Sequence, residues 1–188
     1  MTSATAAAAS AGAPKMSESR RKVPVDVELV EPSPRWRERL PRRRQLCVSA
    51  VEAALAAAKP RLTRRTEVSV VLADDALIRR LNRQWRRIDR ATDVLSFPVV
   101  DDLTPPRATA LMGDVVLAFE TVAREAQEQG KPLADHLRHL VVHGVLHLMG
   151  YDHEAPEEAE RMEALETEVL ARLGVSDPYA ERMAAGDD

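Results

Sequence analysis

The stretch from Pro132 to Gly150 constrains this chain more than any other, because it reads as a helix whose two faces carry different chemistry. Leu133, Leu137, Leu140, Val141, Gly144 and Leu148 recur at helical spacing and form an apolar stripe. At 100° per residue, His136, His139, His143 and His147 fall within about 80° of one another beside that stripe. A helix built this way docks by its stripe and holds its imidazoles at the border between core and solvent. Gly150 stops the helix, and the reversal it permits lets His153 approach the same point from outside.

His143 and His147 are four residues apart, the spacing that stacks two imidazoles one turn apart and lets them chelate one ion. With His153 they supply three neutral nitrogens and leave a fourth position for water, the arrangement of a catalytic zinc site. His139 and His143 are also four apart, but one helix cannot easily bring three consecutive turns onto a single tetrahedral centre. His136 and His139 are therefore left out of the ligand set. Metalloproteases of the H-E-x-x-H class carry a Glu directly after the first His, where this chain has Gly144, so ordinary zinc proteolysis is disfavoured. A general base would have to come from elsewhere, and Asp152, Asp114 and Glu154 are candidates that the sequence does not separate.

The remaining elements supply what this helix packs against. Val23 to Val30 alternates at period 2 and reads as a strand, and a short helix around Trp36 to Leu40 follows. A helix over Gln45 to Ala58, a strand over Glu67 to Leu72, and a helix over Asp75 to Trp85 capped by Asp74 come next. Asp93 to Val100 and Leu111 to Phe119 read as strands flanking a loop over Asp101 to Ala110. Helices are expected over Glu120 to Gln129, closed by Gly130, and over Glu157 to Leu173, closed by Gly174. The order βαβαββαα predicts an α+β fold: a small mixed sheet packed with helices in a single domain that contains the histidine helix. Residues 23–174 form that domain, preceded by an Ala-rich disordered extension over 1–22 and followed by a tail over 175–188.

Charge is unevenly spread. Residues 20–90 carry a net +10 and residues 91–188 a net −13 within a chain of −3 overall. A basic half is compatible with binding a polyanion, although on charge alone solvated faces or mutual attraction of the halves are the preferred explanation. Arg86 stands among Arg79, Arg83, Arg87 and Arg90 at helical spacing, and Trp36 stands among Arg35, Arg37, Arg39, Arg42, Arg43 and Arg44. Trp36 is read either as core or as part of an RNA-tracking surface. The single Cys47 permits neither an internal disulfide nor a Cys-rich metal site, which favours a reducing, cytoplasmic compartment. No run approaches 18 apolar residues, so no membrane-spanning helix is expected.

The run H-G-V-L-H-L-M-G-Y-D-H, His143 to His153, resembles the signature of the YbeY family of bacterial endoribonucleases and rRNA maturation factors. The resemblance continues through L-N-R-Q-W-R-R-I-D-R-A-T-D-V-L-S-F-P at Leu81 to Pro98, L-M-G-D-V-V-L at Leu111 to Leu117 and E-A-Q-E-Q-G-K-P-L at Glu125 to Leu133. It implies a zincin-like α+β domain with the site at the end of the histidine helix, and a metal-dependent, single-strand-specific endoribonuclease that matures the 3′ end of 16S rRNA and serves ribosome quality control. By that resemblance His143, His147 and His153 hold one zinc ion. Arg86 is the catalytic and substrate-binding residue that meets RNA phosphate, and the partners are single-stranded ribosomal RNA and the ribosome or small-subunit assembly proteins. Trp85 stands where Tyr is common in the family, and Ala91 where Pro is usual before Thr92-Asp93. Two other readings remain: a ribosome-assembly binding module with structural zinc, and a zincin-like metallopeptidase.

Overall fold

A computed structural model describes residues 25–58, 65–99, 109–153 and 155–180. The expected extension over 1–22, the start of the first strand at Val23, and Glu154 lie outside the described residues. The elements are β1 (Val25–Val30), α1 (Arg35–Arg39), α2 (Arg43–Ala58), β2 (Arg65–Ala73), α3 (Asp75–Arg86), β3 (Val94–Pro98), β4 (Thr109–Ala118), α4 (Phe119–Glu128), α5 (Leu133–Leu148) and α6 (Pro156–Arg172). The α+β class, the small mixed sheet and the histidine helix are as the sequence predicts. The string βαβαββαα is two helices short of the six among the described residues, whereas the segments read one by one, including Trp36 to Leu40 and Glu120 to Gln129, account for all six. α4 stands apart from α5 because Gly130 (φ +61°) and Pro132 separate them. The strand expected from Leu111 begins two residues earlier, at Thr109, and Phe119 opens α4 instead of closing β4.

The four strands lie in the order β1-β2-β4-β3. β1, β2 and β4 are mutually parallel and β3 pairs antiparallel with β4. The parallel pairs follow from the helical crossovers that separate those strands, and the antiparallel edge from the direct β3-to-β4 connection. β2 is a near-continuous apolar run, as a central strand covered on both faces must be. Val68, Val70, Leu72, Val115 and Leu117 face the large core shared with α2, α4, α5 and α6. Val116, Ala118 and Leu95 face the opposite side, where Ile78 of α3 covers them.

Trp36 belongs to the core. It is fully buried, its Nε1 donates to Ala73 O at 2.8 Å, and its ring meets Phe119 edge-on at 5.2 Å. Truncating such a side chain to Ala costs about 3–5 kcal/mol. Asp74 caps α3 as expected, its carboxylate accepting from Leu77 N at 2.8 Å.

Two glycines let α5 reach the sheet. A Cβ on Gly144 would lie 2.5 Å from Val115 Cγ1, so the helix rests on β4 at this point. A Cβ on Gly113 (φ +140°) would lie 2.2 Å from Phe97 O and 3.0 Å from Leu148 Cδ2. Gly113 thus lets the β3–β4 pair meet the C-terminal end of α5. Next to it, Glu67 pairs with Leu111 and Val68 with Gly113, so Met112 bulges out of register.

Candidate metal centre

α5 buries its apolar stripe, from His136 and Leu137 to Leu148, and leaves His143 and His147 half-buried at its border. At its C-terminal end the helix closes on Gly150 (φ +85°), with Tyr151 N bonded back to Leu146 O at 3.1 Å. The left-handed residue turns the chain, and His153 comes back beside the helix, its backbone N donating to Asp152 Oδ1 at 2.7 Å. One ligand atom from each of His143, His147 and His153 lies within 4.8 Å of the others. His143 Nε2 and His147 Nε2 are 3.1 Å apart. Two nitrogens bound to one tetrahedral zinc ion stand about 3.3 Å apart, so the pair is already close to a shared-ligand geometry. Three imidazoles suit zinc and several other divalent ions, and the triad could hold such an ion.

The chemistry behind the triad comes from α6. Glu166 is fully buried, and both of its carboxylate oxygens are used. Oε1 accepts from His143 Nδ1 at 2.7 Å, while Oε2 accepts from His139 Nε2 at 3.2 Å and from the Tyr179 hydroxyl. Burial alone would raise this carboxyl's pKa, but the hydrogen bonds from His139, His143 and Tyr179 outweigh it and hold the value at about 2. In the neutral form of His143 the carboxylate holds the proton on Nδ1, so that the Nε2 lone pair faces His147. His147 titrates below the ordinary histidine range, chiefly through burial and then through the charges of His143 and His153. An ion-binding imidazole must be neutral, and this shift favours that form.

His139 is thus occupied with Glu166, and His136 Nε2 faces Glu125 Oε2 at 3.1 Å. Neither joins the cluster of converging ligand atoms. The absence of Glu after His143 has a physical cause: Gly144 faces β4, and its carbonyl accepts from Ser96 Oγ at 3.1 Å. No side chain fits there. Asp114 alternates with Val116 and Ala118 onto the α3 face of the sheet, away from α5. Asp152 lies beside His153, and with Met149, Gly150 and Tyr151 it lines a cavity of about 410 Å3 closed by Ala58, Glu158 and Arg161.

Arg86 ends α3 and is exposed. α3 covers the sheet face opposite α5, with the edge strand β3 between them. The neighbouring Trp85 packs on Phe97 of that strand, ring centroids 6.0 Å apart.

The sequence reading missed Glu166 and Tyr179. Glu166 is one acid among many on α6, but it falls on the helix's buried stripe with Met162, Val169 and Leu170. A carboxylate in an apolar stripe was the available signal. The chain beyond Gly174 carries Tyr179 back to the site: Val175 is buried, and Lys131 Nζ donates to Pro178 O at 3.3 Å.

A family model described as Endoribonuclease YbeY matches residues 38–174. The chain is 51% identical over 164 residues to Endoribonuclease YbeY of Paramagnetospirillum magneticum, covering 85% of this chain and 99% of that protein. It is 58% identical over 120 residues to Endoribonuclease YbeY of a Bradyrhizobium species, covering 62% of this chain and 70% of the relative. Among solved structures it resembles the solution structure of TM1509 from Thermotoga maritima at TM-score 0.45 and 26% identity, over 82% of this chain and 97% of that one. The matched region contains the histidine helix, the turn to His153, the carboxylate behind them and Arg86, and with more than half of the aligned residues identical in these two curated relatives the chain belongs to the YbeY endoribonuclease family.

Proposed function

We propose that this protein is a zinc-dependent endoribonuclease that cuts single-stranded ribosomal RNA, acting in the cytoplasm at the 3′ end of 16S rRNA and in ribosome quality control. His143, His147 and His153 would hold one zinc ion, and Arg86 would position the phosphate. The observation that carries the reading is the convergence of three imidazoles in front of a buried carboxylate that sets the tautomer of the first. When bound, the ion would supply Lewis-acid stabilisation of charge developing on a phosphoryl oxygen.

The protein's own groups do the rest. Glu166 keeps the His143 proton on Nδ1, and partial burial keeps His147 neutral. The Arg86 guanidinium, exposed on the last turn of α3, offers paired donors to a phosphate. Family membership supports RNA as substrate, while small-subunit rRNA and assembly proteins as partners rest on the resemblance. A peptidase of the H-E-x-x-H type is disfavoured, because the position for its base is packed against Val115.

The test is cleavage of a single-stranded RNA spanning the 3′ end of 16S rRNA, and of the same strand annealed to its complement. Wild type should cut only the unpaired form, and Arg86→Ala should slow that cut by about 100-fold or more. Binding without cutting by wild type would replace this reading with a ribosome-assembly module.

A further inference from the structure

Trp85 is the most exposed large apolar residue among the described residues, at 65%. Its ring rests on Phe97 at an interplanar angle of 60°, which fixes its position while leaving much of the indole open to solvent. Ile88 and Val99, near it and Phe97 along the chain, are also exposed. Arg86 and Arg87 follow Trp85 directly, and with Arg90 they are exposed and make no ion pair with any described residue. Arg79, by contrast, is paired with Asp89 at 2.8 Å.

This surface lies at the same end of the sheet as the histidine triad. Trp85 touches Phe97, and Phe97 pairs in register with Asp114, beside Gly113. The space over Gly113 is bounded by Phe97 O and by Leu148 Cδ2, one residue from His147.

An open aromatic face beside guanidinium groups that make no ion pair among the described residues matches a polyanion that also presents flat apolar faces. Single-stranded nucleic acid has both, whereas a duplex keeps its bases stacked on one another and offers only its backbone. Resting on the ribonuclease reading above, we propose that Trp85, backed by Phe97 and followed directly in the chain by Arg86 and Arg87, is a base-stacking platform for single-stranded RNA. The platform selects unpaired strands because only an unpaired base can lie on the indole, and the arginines hold the adjoining phosphates.

The chain has two tryptophans, and Trp36 is fully buried, so a fluorescence change on adding a strand reports Trp85. The experiment titrates the full-length protein with a 2′-O-methyl oligoribonucleotide and with an abasic strand of equal length. Fluorescence anisotropy of labelled strands measures binding in parallel. Quenching by the base-bearing strand is expected, with the abasic strand bound about tenfold more weakly. Trp85→Ala should lower affinity for the base-bearing strand by about tenfold and leave the abasic strand unaffected, and Trp85→Phe should retain most of the preference.

Binding without quenching overturns the platform, as does Trp85→Ala discriminating between the strands like wild type. If wild type nevertheless cuts single-stranded RNA, the ribonuclease reading survives that failure. A wild type that neither cuts RNA nor binds either strand overturns both.

Discussion

Glu166 Oε1 accepts from His143 Nδ1 at 2.7 Å, which leaves Nε2 of the same ring as the nitrogen that faces His147, 3.1 Å away. One buried carboxylate therefore decides which atom of His143 is available to an ion. Glu166→Gln keeps the volume but removes the charge that holds the proton on Nδ1. Zinc affinity, measured by competition with a chromogenic chelator, should fall about 10–100-fold. Nitrogen NMR of the metal-free protein should show the His143 tautomer preference weakened, and unchanged affinity with an unchanged tautomer would contradict the assignment.

Tyr179 reaches the same carboxylate from beyond the family match, which ends at residue 174. Tyr179→Phe removes one of three hydrogen bonds to Glu166 and leaves the ring edge-on to His139, at 5.9 Å. A smaller loss of zinc affinity than for Glu166→Gln is expected, on the order of threefold to tenfold. A larger loss than for Glu166→Gln would show that the C-terminal segment acts by some route other than this hydrogen bond.

Gly144→Ala sets two effects against each other. Ala stabilises a helix interior by about 1 kcal/mol relative to Gly. Its Cβ would lie 2.5 Å from Val115 Cγ1 on a central strand, an overpacking that costs about 1–3 kcal/mol. The clash should win, lowering the midpoint of thermal unfolding. The same substitution should cost less in a Val115→Ala background, and equal costs in both would rule out this contact as the cause.

Cys47 is fully buried on α2, and burial pushes its thiol up to about 12. The native protein should react with a thiol-specific chromogenic disulfide far more slowly than the urea-unfolded chain. Comparable rates would show that α2 opens readily.

Much of this site was legible in the sequence because its information is local. The four-residue spacing of His143 and His147 and the break at Gly150 lie within one helix and its turn, and they bring His153 to the pair without reference to the rest of the fold. Glu166 is different. It sits among Glu157, Glu158, Glu160, Glu163 and Glu168, and what singles it out is the packing of α6 against α5, a long-range outcome. Gly144 shows the same limit: the sequence reveals a missing base, but only the sheet beneath it explains why no side chain can stand there. Trp36, ambiguous among its arginines, was decided by an acceptor 37 residues away, Ala73 O.

The proposed function requires His143, His147 and His153 to hold one ion on which RNA cutting depends. The most direct measurement follows cleavage of the single-stranded 16S 3′-end RNA by wild type and by His147→Ala, each stripped with chelator and then titrated with zinc, with bound metal counted by elemental analysis. Stripped wild type should be inactive and regain cutting as occupancy approaches one zinc per chain, while His147→Ala should neither retain the ion nor cut. Full occupancy in His147→Ala, or undiminished cutting by stripped wild type, would overturn the metal-dependent reading.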